Sequence, residues 1–153
     1  MEFKVFSTNQ NSQYPSEFTN DILFEYEYEG IEENQYLDIV GSMNTEKLHF
    51  FLIDEDENTI AASLTLEIVD PEYTRGMEYN KWVSNVSVHN DYRNLGLSRV
   101  IIKKFFEYCS ENGINHIRQS SYTPAGMKKS MHIFIQYAEK FPNVKFYDEK
   151  KEF

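Results

Sequence analysis

Runs of alternating apolar and polar residues are followed, toward the C-terminus, by runs that recur with a helical period, and the two signals alternate. Phe3-Lys4-Val5-Phe6 and Leu48-His49-Phe50-Phe51-Leu52-Ile53 read as strands. Asp54-Glu55-Asp56-Glu57-Asn58 is a turn, and residues 59–69 return as the partner strand of a hairpin. Lys81-Trp82-Val83-Ser84-Asn85-Val86-Ser87-Val88 is a β-branched, alternating segment and predicts a further strand. In residues 99–112, Val100, Ile101, Ile102, Phe105, Phe106 and Cys109 fall at helical spacing, and Gly113 stands where a helix closes in the left-handed conformation. Residues 114–121 predict a fifth strand. Thr123-Pro124 then opens a helix as N-cap and first residue, and Met127, Met131, Phe134, Ile135 and Ala138 give it a period near four. Pro142 ends that helix, and Val144-Lys145-Phe146-Tyr147 predicts a last strand.

The early part of the chain is less decided. Residues 9–15 are polar and turn-like, and Ser16 could cap a helix beginning near Glu17. Residues 16–28 fit helix or strand, whereas 32–43 read as helical; residues 70–80, with Pro71 and Gly76, form a loop. The order is strand, two helical stretches, a three-strand antiparallel meander, helix, strand, helix, strand. Such an order predicts an α/β layout with one helix crossing between strands and another packed on the sheet. No repeat or linker interrupts it, so residues 1–153 are expected to form a single domain.

Composition narrows the class. Apolar residues make up 41% and aromatics 16%, so the core is built from bulky side chains. No run of eighteen apolar residues and no basic-then-apolar leader is seen, so no membrane association is expected. Cys109 is the single cysteine, which excludes an internal disulfide and fits a cytoplasmic protein; on an apolar helix face it reads as core filler. His49, His89, His116 and His132 are scattered without metal-ligand spacing, so no metal is expected. The net charge is −10, and it is concentrated. Between Val5 and Glu46 there is no Lys or Arg, while Glu17, Asp21, Glu25, Glu27, Glu29, Glu32, Glu33, Asp38 and Glu46 all fall there. That region would repel nucleic acid. It suits a cationic partner, or serves solubility alone.

The chemistry centres on Arg93-Asn94-Leu95-Gly96-Leu97-Ser98, between the 81–88 strand and the 99–112 helix. The loop and first helical turn carry N–H groups without helical partners, and the helix dipole favours negative charge there. A pyrophosphate would be held mostly by backbone, with Arg93 and Arg99 adding charge. A Walker loop needs Gly-Lys-Ser/Thr, and a dinucleotide fingerprint needs three spaced glycines; neither is present. The competing reading is a plain strand–turn–helix connection in which Gly96 relieves a tight turn.

Taken from Val88 to Ser98, the stretch resembles the acyl-CoA-binding motif of the GNAT superfamily of N-acyltransferases, roughly Val-x-Pro-x-Tyr-Arg-x-x-Gly-x-Gly/Ala. Arg93 and Gly96 match its most characteristic positions and Val88 and Tyr92 its flanks; Asn90 replaces the proline and Ser98 the last small residue. The element order also resembles that family over nearly the whole chain. The resemblance implies a mixed, mostly antiparallel sheet of about six or seven strands flanked by about four helices. It implies transfer of an acyl group, usually acetyl, from coenzyme A to an amine, with acetyl-CoA as co-substrate. It places the pantetheine arm on Val86, Ser87 and Val88, and the pyrophosphate on the amides of Asn94, Leu95, Gly96, Leu97, Ser98 and Arg99. Tyr137 falls where a family tyrosine protonates the leaving thiolate, although Phe141 replaces the usual following glycine, and Ser130 falls where an Asn or Ser contacts the cofactor. The bland reading of Tyr137 is a packed aromatic.

No general base stands out. Trp82 and Ser84 occupy positions where some relatives carry a glutamate; Glu67 and Glu78 are substitutes that otherwise read as solvated surface charges. Two functions follow from the resemblance. One is an N-acetyltransferase acting on a cationic primary amine, such as a polyamine, an aminoglycoside-like molecule, or a protein lysine or N-terminus. The other is a non-catalytic protein of the same fold that binds a protein partner. A homodimer is compatible with either.

Overall fold

The structure is a computed structural model that describes residues 1–9, 46–68, 80–119 and 125–147. The expected helical stretches in 16–43, most of the 70–80 loop, and the Thr123-Pro124 cap lie outside the described residues.

Among the described residues, six strands form one sheet in sequence order: β1 (Glu2–Asn9), β2 (Glu46–Asp54), β3 (Thr59–Ile68), β4 (Lys81–Val88), β5 (Ile117–Gln119) and β6 (Phe146–Tyr147). The first four pair antiparallel, and β5 and β6 add in parallel. A parallel neighbour needs a crossover, and helices α1 (Leu97–Asn112) and α2 (Ala125–Lys140) supply the two. The architecture is therefore the mixed α/β sheet expected from the pattern. Among the described residues, no helix is long and apolar enough to cross a membrane.

One sheet face carries Leu48, Phe50 and Leu52 from β2, Ala62, Leu64 and Leu66 from β3, Val83 from β4 and Ile117 from β5. Against it pack Ile101, Ile102, Phe105, Phe106 and Cys109 of α1 and Ile133, Phe134 and Tyr137 of α2. Each fully buried aliphatic or phenyl side chain contributes on the order of 1.5–3 kcal/mol, so this face supplies much of the driving force for folding. Phe105 meets Phe50 edge-on at 5.2 Å, and Phe134 stacks on Phe146 at 5.4 Å. Val100, counted with the apolar face in the periodicity, points outward instead and is 39% exposed. Helix α1 closes as its sequence suggests: Gly113 sits at φ 67°, and its N–H and that of Ile114 both reach the Cys109 carbonyl.

Two strands are shorter than the pattern predicts. Residue 114 was expected to open the fifth strand, but His116 takes φ 59°, a left-handed conformation incompatible with a strand, so β5 begins at Ile117. Val144 is buried in the turn after α2, its N–H bonded to the Phe141 carbonyl at 2.9 Å, and β6 begins at Phe146.

Two bulges set the side-chain directions. Ile53 pairs with Ile60 and Leu52 with Ala62, which leaves Ala61 as the extra residue of β3. Leu66 pairs with Val83 and Thr65 with Asn85, which leaves Ser84 as the extra residue of β4. Without the second bulge, Val83 and Val86 would point to opposite faces. With it, Val83, Val86 and Val88 all pack on the apolar face.

Candidate functional site

The site begins where β4 loses a neighbour. Strand β5 pairs with β4 only at Lys81, Trp82 and Val83, so among the described residues nothing pairs with the outer edge of β4 from Ser84 to Val88. One hydrogen bond sets the phase of that edge. The N–H of His89 donates to the Ala61 carbonyl at 2.9 Å, which makes Val88 and Ala62 a non-hydrogen-bonded pair. By alternation, the backbone groups of Val86 and Val88 point away from β3 into the opening, while those of Ser87 face β3. The Ser87 hydroxyl lies on the other face, 2.8 Å from that of Ser63. Of the three residues read as one backbone unit in the sequence, two are turned toward the opening.

The chain then makes a short 3-10 turn, Asn90–Tyr92, and enters the glycine loop. Asn94 (φ 65°) and Gly96 (φ 74°) are both left-handed, so the chain turns tightly into α1. The first helical bond runs from Val100 N–H to the Gly96 carbonyl at 3.2 Å. From Asn94 to Arg99, the amides donate to no protein acceptor among the described residues. A Cβ built on Gly96 meets nothing within 4 Å, so a side chain at this position would point into open space. Leu95 is 63% exposed beside it.

The two arginines flank this run. Arg93 donates from Nε to the Val88 carbonyl at 3.4 Å, and Arg99 donates from Nη1 to Oε1 of Gln136 at 2.7 Å. Each guanidinium has five N–H donors, so both keep donors for an anion. The Arg99 bond also ties the first turn of α1 to α2 one residue before Tyr137. Ser130 lies two turns earlier on α2 and is buried, at 6% exposed. Tyr137 is 7% exposed, its ring 6.4 Å from that of Phe106, with Lys140 Nζ 5.1 Å over its face. Its hydroxyl makes no hydrogen bond with any described residue. The ring is thus packed, as the bland reading had it, while the oxygen has no partner among the described residues.

Tyr92 has a role that the sequence did not disclose. Its hydroxyl donates to Asp54 Oδ2 at 2.6 Å, clamping the loop to the β2–β3 turn. That bond holds the Asp54 carboxyl below its ordinary range and pushes the Tyr92 phenol up to about 12. Cys109 is wholly buried and its thiol is pushed up by burial, in keeping with core filler.

The sheet face opposite the helices is also buried in its centre, but with polar residues. Lys47, His49, Ser63 and Thr65 are each at most 2% exposed. Burial pulls the Lys47 ammonium down to about 7, with Glu67 pulling the other way. His49 is driven down to about 3, by burial first and Lys47 second, so it is neutral at ordinary pH. Glu67, read from sequence as a solvated charge, is half-buried and its carboxyl is raised by burial, with Lys47 opposing. The alternation of β3 put it on a polar face; only the assembled sheet shows that this face is covered. Glu78 and the carboxylates Glu25, Glu29, Glu32 and Glu33 lie outside the described residues.

Comparison with known proteins bears on this arrangement. The family model of the acetyltransferase (GNAT) family matches residues 11–141. No curated protein sequence matches the chain significantly. Solved structures of similar fold include the aminoglycoside antibiotic 6'-N-acetyltransferase AAC(6')-IG from Acinetobacter haemolyticus, at 14% identity and a TM-score of 0.54 over 86% of this chain and 87% of that one. Another is AAC(6')-Ih from Acinetobacter baumannii, at 13% identity and a TM-score of 0.50 with the same coverage. At such identities the likeness is one of fold. Since the family match runs from before β2 to the end of α2, the chain belongs to the acetyltransferase (GNAT) family.

Proposed function

We propose that the protein transfers an acetyl group from acetyl-CoA to the primary amine of a cationic acceptor. The observation that carries this reading is the run of amides from Asn94 to Arg99, at the end of a strand whose outer edge has no partner beyond Val83, neither having a protein partner among the described residues. Acetyl-CoA would supply the activated acyl group. The residues present fit it: the amides, the left-handed Gly96 and the flanking Arg93 and Arg99 suit a pyrophosphate, and the outward backbone of Val86 and Val88 suits the amide groups of a pantetheine arm. Ser130 and Tyr137 come from α2, which Arg99 and Gln136 tie to the loop. Tyr137 holds a proton at its hydroxyl for the sulfur that leaves, which makes that departure easier.

The cationic character of the acceptor follows from charge. Nine carboxylates and no Lys or Arg fall between Val5 and Glu46, and a stretch of that charge attracts cationic amines and repels anions. Polyamines, aminoglycosides and lysine-rich peptides share the required chemistry. The solved relatives of similar fold are named for aminoglycoside N-acetylation, and an aminoglycoside is a polycation of this kind.

Calorimetry with CoA and acetyl-CoA tests the donor half. Wild type should bind, and Gly96→Asp should weaken binding by at least about a hundredfold through bulk and negative charge in the cradle. The left-handed φ of 74° is one that Asp adopts more readily than most residues, and nothing lies within 4 Å of the new Cβ, so the fold should persist. Absence of heat and of a thermal shift with millimolar CoA would leave the non-catalytic reading in its place. The acceptor half is tested by an amine panel at low and high salt. Polycations should be preferred, with rates falling as salt rises; a neutral or anionic favourite indifferent to salt would overturn it.

A further inference from the structure

One line of residues crosses the polar face of the sheet just below the point where β4 and β5 part. Lys47 pairs with Glu67, Glu67 with Trp82, Trp82 with Arg118, and Arg118 with Tyr147, so five strands each place one of these side chains on the same face. The line runs from a buried end at Lys47, 2% exposed, to half-buried residues at Glu67, Trp82, Arg118 and Tyr147. Arg118 lies 5.8 Å from the Trp82 ring and 5.9 Å from the Tyr147 ring, and it holds the indole from the β5 side. Above Trp82 come the bulge at Ser84 and the open edge of β4.

Glu67 is the member of this line whose chemistry is unfinished. Its half-buried carboxylate makes no hydrogen bond or ion pair with any described residue, and it feels Lys47 only at a distance. A carboxylate withdrawn from water without a donor is costly, and a charge-assisted hydrogen bond is what relieves it. A primary ammonium supplies three such donors and a positive charge, and an indole wall favours a cation over a neutral group. A chain laid along β4 from the glycine loop passes the bulge and then meets this line.

We propose that Glu67 and Trp82 form the seat of the acceptor's ammonium group, with Glu67 as its counter-charge and the Trp82 ring as its wall. This rests on the acetyl-transfer reading and gives it a second pair of residues. It also assigns the acceptor a chemistry: an unhindered primary amine on an apolar or polyhydroxylated stem able to lie against an indole.

Trp82 is the chain's single tryptophan, so its fluorescence reports on the seat without any turnover. Wild-type protein at low salt, without CoA, is titrated with spermidine and separately with kanamycin. A saturable change in emission is expected with at least one of them, and Glu67→Gln should raise the half-saturating concentration by about tenfold or more, as loss of a charged hydrogen bond does. Glu67→Asp, which keeps the charge but shortens its reach, should fall between the two. Circular dichroism and the affinity for CoA should be unchanged in both variants. Titrations of Glu67→Gln and Glu67→Asp that superimpose on wild type would overturn the seat, as would a wild-type emission indifferent to both amines at millimolar concentration. Failure of wild type to bind CoA sinks the acetyl-transfer reading instead, so the two failures are distinguishable. Should Glu67→Gln not fold, the Glu67→Asp titration decides.

Discussion

On the side that carries α1 and α2, β2 presents Leu48, Phe50 and Leu52; on the other side the same strand presents Lys47, His49, Phe51 and Ile53. Strand β3 divides likewise, with Ala62, Leu64 and Leu66 against the helices and Ser63, Thr65 and Glu67 opposite. Burial alone does not separate the two sides, since Phe50 and Thr65 are both 0% exposed. Chemistry does. The helix side gains from every apolar atom it removes from water, whereas the opposite side holds an ammonium pulled down to about 7 and an imidazole driven to about 3. A face that buries ionisable groups against their preference contributes less to stability than its area suggests. Perturbed groups of this kind cluster where sites are built. The comparison assigns most of the support of the fold to the helix side, while the other side buries ionisable groups at a cost.

The sharpest way to break that division is to remove a phenyl ring from the helix side. Phe105 is wholly buried between Phe50, Phe106 and Phe134, and Phe105→Ala should lower unfolding free energy by about 3–5 kcal/mol in urea titrations. Against a typical stability of about 5–15 kcal/mol, that leaves a marginal protein. A loss below about 1 kcal/mol would mean the aromatic cluster is not the main support.

Tyr137 tests the boundary between the sides, because its ring is core while its hydroxyl is assigned chemistry. Tyr137→Phe keeps the ring and should leave the urea midpoint and CoA affinity nearly unchanged while turnover falls about 10²–10⁴-fold. Unchanged turnover with a lowered midpoint would return Tyr137 wholly to the core.

The polar side should reveal itself through pH. His49 has a folded pKa of about 3 against an ordinary 6.5, so between those values the unfolded chain binds a proton that the folded one refuses. Its contribution is complete above pH 6.5 and is lost as pH falls toward 3, by at most about 1.4 kcal/mol per pH unit. Lys47, at about 7 against 10.5, extends a slope of the same sign through the alkaline range. His49→Gln should flatten the acid part of a stability–pH curve relative to wild type. Parallel curves would show that His49 is not shielded as the structure has it.

The smallest effect is expected at the clamp between the loop and the hairpin turn. Tyr92→Phe removes the 2.6 Å bond to Asp54 and should weaken CoA binding only a few-fold, with little change in the urea midpoint, since both partners reach water. A loss as large as that of Gly96→Asp would mean that the clamp, rather than the amides, shapes the cradle.

Much of this was legible locally. Helix α1 was readable because Ile101, Ile102, Phe105, Phe106 and Cys109 recur on one face and Gly113 supplies the left-handed close. The glycine turn into α1 was readable because a strand, a glycine and a helix start lie within one short stretch, and unpaired amides follow from that succession alone. Even the bulge at Ser84 leaves a trace, since Val83 and Val86 are three apart where a regular strand would place apolar residues two apart.

What the tertiary structure decided depends on partners distant along the chain. Among the described residues β5 pairs with β4 only at 81–83, and that pairing joins residues more than thirty positions apart across the α1 crossover. Tyr92 meets Asp54 from 38 positions away, and Arg99 meets Gln136 from 37. Glu67 looks like a surface carboxylate in its strand, because alternation states which face a residue takes but not whether that face is covered. Periodicity and turn chemistry act over a few residues, so the sequence by itself determined most of the described elements, the glycine turn and the family. Burial, register between distant strands and the lining of the site come from what is packed together, and they appeared only when the sheet was assembled.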